Sequence, residues 1–178
     1  MKVAVVIGHH LRSKGAYSKH LKVSEWDFYN KVVDLMRTCP DVYRHNTLIP
    51  GYTSRIKNTA LQLNKQNYDL VISLHFNAAG DARANGCETL YYFSSKRGKD
   101  YAKAFSDKVH EWTNIKVRNG GLKALTNKKD RGFAMVYYPK APTILIEPFF
   151  GTNYQDCARI EDAEKMALIL DDYINDLG

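Results

Sequence analysis

The stretch Asp69-Leu70-Val71-Ile72-Ser73-Leu74-His75-Phe76-Asn77-Ala78 decides the fold that we predict for this chain. Residues 70–74 form an almost continuous apolar run, which predicts a strand buried on both faces of a sheet. The run ends in the polar residues His75 and Asn77, and ligands bind at the carboxyl ends of strands in open α/β sheets. His75 is therefore either a functional residue or a structural histidine with an ordinary hydrogen-bond partner.

Two further apolar runs also end in titratable residues. Val3 to Ile7 is rich in β-branched residues and continues into Gly8-His9-His10, and residues 143–146 are followed by Glu147. Helical patterns separate these runs, and strands that alternate with helices indicate a parallel sheet. We predict a single α/β domain in which a mainly parallel, twisted β-sheet is flanked by helices on both faces.

The first predicted helix begins with a carboxylate residue, Glu25, whose role has two interpretations. Ser24 is a suitable N-cap, with Asp27 as its capping-box partner, so Glu25 occupies the first helical position. Its charge there either stabilises the helix dipole or contributes to a site. Elsewhere the patterns predict a basic loop over residues 116–131, a short strand over 134–138 and a last helix over 161–177.

Composition places the chain among ordinary globular proteins. Its 178 residues, 44% hydrophobic and 25% charged, suit one domain over residues 1–178, with no separate binding domain. We find no apolar run long enough to cross a membrane and no signal-peptide core, so we expect synthesis in the cytoplasm and no stable membrane insertion. Three widely spaced cysteines argue against both a disulfide framework and a cysteine zinc site.

A formal net charge of +7 indicates a polyanionic partner, such as nucleic acid, anionic lipid or an acidic cell-wall polymer. The excess is densest over residues 116–131. That segment contains no aromatic residue, so it does not resemble a stacking surface for single-stranded nucleic acid. It is either a solvated loop or a contact surface.

His9, His75, Glu147 and Glu25 are predicted to converge on one cleft. Strand carboxyl ends and helix amino ends lie on the same edge of a parallel sheet. Two imidazoles and one carboxylate, with water in the fourth position, make a hydrolytic zinc site, and a further carboxylate transfers the proton. His10 is a rival to His9 as ligand, and the usual zinc-protease, serine-hydrolase and nucleotide-binding motifs are absent.

The order of the motifs resembles one family. These motifs are Gly8-His9, Glu25, Ser73-Leu74-His75-Phe76-Asn77-Ala78, Gly86-Cys87-Glu88, Arg131-Gly132 and Ile146-Glu147-Pro148-Phe149-Phe150-Gly151-Thr152-Asn153. Together they span almost the whole chain and are similar to those of the zinc-dependent N-acetylmuramoyl-L-alanine amidases of the Amidase_3 type. The resemblance implies one Zn²⁺ per chain, with His9, Glu25 and His75 as ligands and Glu147 as catalytic base and acid. Asn77 and Arg131, which lie in the shared motifs, are candidates for substrate binding.

The resemblance also implies a substrate and a setting. Such enzymes cleave the amide between N-acetylmuramic acid and the L-alanine of the peptidoglycan stem peptide. A compact basic unit of this kind is similar to a phage or prophage endolysin, a bacteriolytic enzyme. We therefore expect peptidoglycan as partner, no nucleic acid, and action on the periplasmic or extracellular wall after holin-dependent passage from the host cytoplasm.

Two alternatives remain open from the sequence. One is a different zinc amidohydrolase that acts on small acyl-amino acids or peptides. The other is a non-catalytic basic protein that binds cell wall or nucleic acid. Salt-sensitive DNA binding without zinc would favour this last alternative.

Overall fold

The computed structural model describes residues 1–178 as a six-stranded sheet, a two-stranded ribbon and six helices. The strands are β1 (Val3–Ile7), β2 (Tyr17–Ser18), β3 (Val23–Ser24), β4 (Asp41–Arg44), β5 (Leu70–Leu74), β6 (Cys87–Tyr92), β7 (Val117–Leu125) and β8 (Thr143–Glu147). The helices are α1 (Glu25–Leu35), α2 (Tyr52–Leu63), α3 (Lys96–Thr113), α4 (Phe133–Tyr137), α5 (Tyr154–Ile160) and α6 (Ala163–Leu177). None of these helices is long and apolar enough to cross a membrane.

The large sheet has the strand order β4-β1-β5-β8-β6-β7. Every neighbouring pair is parallel except β6 with β8, which is antiparallel. β1, β5 and β8 are adjacent, so their carboxyl ends meet at one edge of the sheet. The predicted α/β fold with a mainly parallel sheet is confirmed.

Helices cover both faces of the sheet. The larger apolar core, of 29 buried residues, lies between one face and the helices α1, α3, α5 and α6. Two smaller cores lie under α2 and α4 on the opposite face. Side chains alternate between the faces along a strand, so Ile72 and Leu74 enter the large core while Ser73 and His75 face the side of α2 and α4.

Two local predictions were wrong. Residues 116–131, predicted as a loop, contain β7, which pairs in parallel with β6. The turn signal Asn119-Gly120-Gly121 has positive φ throughout, and the strand accommodates it where the register with β6 shifts. Residues 134–138, predicted as a strand, instead form most of the short helix α4 and its C-cap Tyr138, and this helix starts from a left-handed Gly132.

The last helix, predicted over residues 161–177, corresponds to α6, and a separate short helix, α5, precedes it. α5 ends before Glu161, whose φ of 66° is in the left-handed region, and α6 begins after Asp162, whose side chain accepts a hydrogen bond from Lys165 N. The segment between β1 and α1, predicted as a loop, contains the short β2–β3 ribbon. This ribbon brings the backbone of Ala16 next to the start of α1.

Candidate metal centre and active site

His9, Glu25 and His75 form one cluster at the carboxyl edge of the sheet. His9 follows β1, His75 follows β5, and Glu25 is the first residue of α1. Glu25 Oε2 lies 3.1 Å from His9 Nε2, and Glu25 Oε1 lies 3.4 Å from His75 Nδ1. One donor atom from each residue lies within 4.8 Å of the other two.

Backbone groups orient the Glu25 carboxylate. Ala16 N donates a hydrogen bond of 2.8 Å to Oε2, and Phe76 N donates one of 3.1 Å to Oε1. Burial raises the pKa of Glu25, but hydrogen bonds from His75 and His9 outweigh this effect and lower the pKa to about 2. The carboxylate is therefore ionised at neutral pH, which is the form that binds metal ions.

Two glycines allow the cluster to close. A Cβ on Gly8 would overlap the His75 imidazole, with Nε2 at 2.5 Å. A Cβ on Gly15 would lie 2.6 Å from both Glu25 Oε2 and His9 Cδ2, and Gly15 also has a φ of +79°. His9 itself has a φ of 63°, so the backbone bends sharply directly after β1. Gly8 and Gly15 are therefore positions that require a residue without a side chain.

The donor set fits a zinc ion. Two imidazoles and one carboxylate are a ligand set that catalytic zinc sites use, and they leave one position open. The hydrogen bonds to Glu25 supply the outer-shell support that metal ligands usually receive. Tyr29 adds to this support, because its hydroxyl donates a 2.6 Å hydrogen bond to the backbone oxygen of His75.

His10, the rival ligand, lies outside this cluster. It lines the same cavity as His9, but its Nδ1 is buried and has no hydrogen-bond partner. Burial lowers the pKa of His10, and the positive charge of Arg55 lowers it further. The geometry therefore favours His9 over His10 as the third donor.

Glu147 ends β8 next to the cluster. Leu74 pairs with Ile146 in the parallel register of β5 and β8, so His75 and Glu147 follow at the same level. Asn77 Nδ2 donates to Glu147 Oε2 at 2.8 Å and lies 3.2 Å from Glu88 Oε1. Glu88 is directly opposite Glu147 in the antiparallel pair.

These surroundings raise the proton affinity of Glu147. Burial raises its pKa to about 7; the negative charge of Glu88 adds to the rise, and Lys123 opposes it. A carboxyl group with a pKa near neutrality both accepts and returns a proton at physiological pH. Glu147 is thus suited to act as a general base and then as a general acid.

One cavity of about 600 Å³ joins these groups. His9, His75, Asn77, Glu147 and Arg131 all line it, while Glu25 lies buried behind the two histidines. Five of the six site residues predicted from the sequence therefore face one cavity, and the sixth contacts two of them.

Several other residues of this cavity have no role predicted from the sequence. Glu88 was noted only as part of a motif, although its place in an otherwise apolar strand is a usable signal. Arg118 and Lys123 lie in the segment that was predicted to be a loop, so their place in a strand was missed. Ser73 was likewise noted only as part of a motif. The remaining polar residues have no sequence signal that we recognise; they are Ser13, His45, Tyr52 and Arg55.

An α/β sheet with an open donor set beside a protonatable carboxylate defines a hydrolase-type active site. The family profile described as N-acetylmuramoyl-L-alanine amidase, Amidase_3, matches residues 3–177. The chain therefore belongs to the N-acetylmuramoyl-L-alanine amidase family.

Relatives and solved structures agree with this assignment. The N-acetylmuramoyl-L-alanine amidase LytC of Bacillus subtilis (strain 168) is 25% identical over 163 residues; the match covers 88% of this chain but only 30% of LytC. The catalytic domain of the CD27L endolysin targeting Clostridia difficile is 25% identical, with a TM-score of 0.76 and coverage of 98% of this chain and 97% of that one. An N-acetylmuramoyl-L-alanine amidase from Clostridium difficile 630 shares the fold, with 21% identity, a TM-score of 0.74 and coverage of 98% and 95%.

Proposed function

We propose that this chain hydrolyses the amide bond between N-acetylmuramic acid and the L-alanine of the stem peptide, with one zinc ion held by His9, Glu25 and His75. The observation that carries the proposal is the compact His9–Glu25–His75 cluster beside Glu147 at one cavity. His9, Glu25 and His75 would hold the ion, which would supply a bound water of pKa about 7 and would polarise a carbonyl oxygen.

Glu147 carries the proton in this proposal. Its carboxylate accepts a proton from the attacking water and returns it to the nitrogen of the leaving L-alanine. The raised pKa brings both protonation states within reach near neutral pH. The amide of Asn77 holds Glu147 Oε2 in one orientation, which keeps the base aimed into the cavity.

Asn77 and Arg131 are proposed to meet the substrate as well. Both line the cavity, and Arg131 directly precedes the turn into α4. No carboxylate lies within ion-pair distance of Arg131, so its guanidinium is available to carbonyl or carboxylate groups of the stem peptide. Arg118 and Lys123 add positive charge at the same cavity.

We further propose that the biological setting is phage or prophage lysis, with residues 1–178 acting as the catalytic unit. Similarity to an endolysin catalytic domain and the net charge of +7 support this proposal. The charge favours attraction to an anionic wall. Co-expression with and without a holin tests the setting, since lysis only in the presence of the holin is expected.

The decisive experiment is digestion of purified peptidoglycan with and without a chelator, followed by mass spectrometry. We expect stem peptides with a new N-terminal alanine and intact glycan strands, in the absence of chelator only. Cleaved sugars would contradict the proposal. Cleavage of acyl-amino acids but not of peptidoglycan would favour the small-substrate amidohydrolase, and wall binding without any product would favour a non-catalytic protein.

A further inference from the structure

The active-site cavity extends beyond the histidine cluster on the face of the sheet covered by α2 and α4. We call this part the inner arm and define it by His10, His45, Arg55 and Ser73, all of which line the cavity. Ser73 lies on β5, two residues before His75 and on the same face. His45 Nδ1 is 2.8 Å from Thr59 Oγ1 of α2, which anchors the ring at the far side.

The inner arm contains two polar atoms that nothing in the protein satisfies. His10 Nδ1 and Ser73 Oγ are buried and have no hydrogen-bond partner, and no other buried side-chain nitrogen or oxygen of this chain lacks one. Ser73 is fully buried. A buried polar group without a partner costs stability, and most such groups are satisfied. Two in one cavity point to a ligand group that completes them.

The charge of the inner arm indicates the kind of ligand. The Arg55 guanidinium forms no ion pair, and its hydrogen bond is from Nη1 to the backbone oxygen of Ile49 at 3.0 Å. Burial lowers the pKa of His45 to about 4, and the charges of His75 and Arg55 add to this decrease. The carboxylates that line the cavity, Glu88 and Glu147, are engaged with Asn77 instead. The arm therefore has an uncompensated cation and no anion.

We propose that the inner arm binds a carboxylate of the second residue of the stem peptide, with Arg55 as its charged partner and Ser73 Oγ as a hydrogen-bond donor. The inference rests on the proposed amidase function. Around the scissile amide, the sugar and lactyl groups are neutral, and the first negative charge appears on the second residue of the peptide. That residue lies about 7 Å along an extended chain from the scissile carbonyl, and the arm begins directly beside the histidine cluster.

Two carboxylates of a second-position D-glutamate are possible sources, the α-carboxylate and a γ-carboxylate. Three soluble disaccharide–dipeptide substrates distinguish them: one with L-alanyl-D-glutamate, one with the α-carboxylate amidated and one with the γ-carboxylate amidated. We expect the wild-type kcat/KM to fall roughly 10- to 100-fold for one amidated substrate, the range of a hydrogen-bonded charge. Equal kcat/KM for all three would overturn the inference.

Variants of Arg55 test whether this residue causes the preference for the carboxylate. Arg55→Gln should lower kcat/KM for the preferred substrate and change kcat/KM for the disfavoured amidated substrate by no more than about twofold, so the preference disappears. Arg55→Lys should restore part of the preference. Lys57→Gln is the matched control, because it removes one positive charge from the same helix at an exposed position. A preference that persists in Arg55→Gln, or disappears equally in Lys57→Gln, would overturn the assignment.

Binding separates this inference from the proposed activity. Isothermal titration of Glu147→Gln with the same three compounds reports affinity without turnover. If the wild-type protein cleaves none of the compounds and no peptidoglycan, the proposed function is wrong. The titration then still decides the inner arm: a loss of affinity on amidation supports it, and equal dissociation constants refute it.

Discussion

Asn77 Nδ2 lies 2.8 Å from Glu147 Oε2 and 3.2 Å from Glu88 Oε1, so one side-chain amide joins the half-buried carboxylate of Glu147 to the buried carboxylate of Glu88. If Glu88 and Glu147 were both ionised, their carboxylates would repel each other. The Asn77 amide lies between them as a neutral hydrogen-bond donor. Asn77 therefore determines where the proposed catalytic base points and contributes to how readily it holds a proton.

Asn77→Asp should raise the pKa of Glu147 further, because a third carboxyl group replaces the donor. We expect the pH at which activity is half-maximal to move upward and the free energy of unfolding to fall by roughly 1–3 kcal/mol, the cost of losing a buried partner. Peptidoglycan turnover against pH and urea unfolding measure the two effects. Asn175→Asp, at an exposed position of α6, is the control; identical profiles for both variants would contradict the prediction.

The zinc content of single variants should distinguish the metal ligands from the catalytic base. His75→Ala and His9→Ala remove a donor, so both variants should lose stoichiometric zinc and activity together. Glu147→Gln should retain zinc and lose nearly all turnover, because only proton transfer is removed. Elemental analysis after dialysis makes the comparison. His10→Ala should retain zinc, and full zinc in His9→Ala with none in His10→Ala would reverse the assignment.

Glu147 should make the metal-free protein less stable as the pH rises. Burial raises its pKa from 4.5 to about 7 in the folded state. The folded protein therefore holds this proton more tightly than the unfolded chain, and the resulting stabilisation is complete below pH 4.5 and disappears as the pH rises through 7.

The neutral isostere tests this pH dependence. In the presence of chelator, wild-type protein should lose stability relative to Glu147→Gln between pH 4.5 and pH 7.5. Urea unfolding at several pH values measures the difference, with Glu164→Gln as a control for charge removal at an exposed site. A constant difference between wild-type protein and Glu147→Gln across this range would refute the assigned shift.

Gly15→Ala should damage the metal centre, because the new Cβ would lie 2.6 Å from Glu25 Oε2 and His9 Cδ2. Gly120 provides a matched control: its φ of +69° is also left-handed, but nothing lies within 4 Å of the Cβ position. Gly120→Ala should cost only the conformational strain, about 1–2 kcal/mol. Gly15→Ala should lower the free energy of unfolding clearly more than Gly120→Ala does, and it should also weaken zinc binding. Urea unfolding and metal titration measure the two effects. Equal losses would show that the close approach has no effect.

Ser73→Ala should affect stability and substrate binding in opposite directions. Removing a buried hydroxyl without a partner should leave stability unchanged or raise it by about 1 kcal/mol. Loss of the same hydroxyl should raise KM for a substrate with a carboxylate on its second residue. Thermal unfolding and kinetics measure both effects, and Thr89→Val, whose hydroxyl is paired with Ser106, should instead be destabilised. A destabilised Ser73→Ala would indicate a structural role for the hydroxyl.

Residues that follow a local pattern were placed correctly from the sequence. Apolar runs end one or two residues before His9, His75 and Glu147, and Ser24 caps the helix that starts with Glu25. Burial along a strand and capping of a helix depend on neighbours within a few positions. The parallel arrangement then brings these residues to one edge of the sheet, so the cluster was predictable once the fold class was known.

Other features depend on contacts between distant parts of the chain. β7 was missed because Asn119-Gly120-Gly121 has the local character of a turn, and only the pairing of the residues on either side with β6 makes the segment part of a strand. α4 was missed because residues 133–136 have no polar position to show a helical period. In both segments the tertiary contacts outweigh the local propensity.

The sequence by itself therefore determined the α/β fold, the strand-end histidines and the helix-start carboxylate, since apolar periodicity and capping are local. Only the tertiary structure decided that Asn77 joins Glu88 to Glu147 and that Arg55 and Ser73 share an inner arm. The physical reason is that burial, charge and hydrogen-bond satisfaction in a cavity arise from residues far apart in sequence. Their energies exist only after the sheet and its two layers of helices have come together.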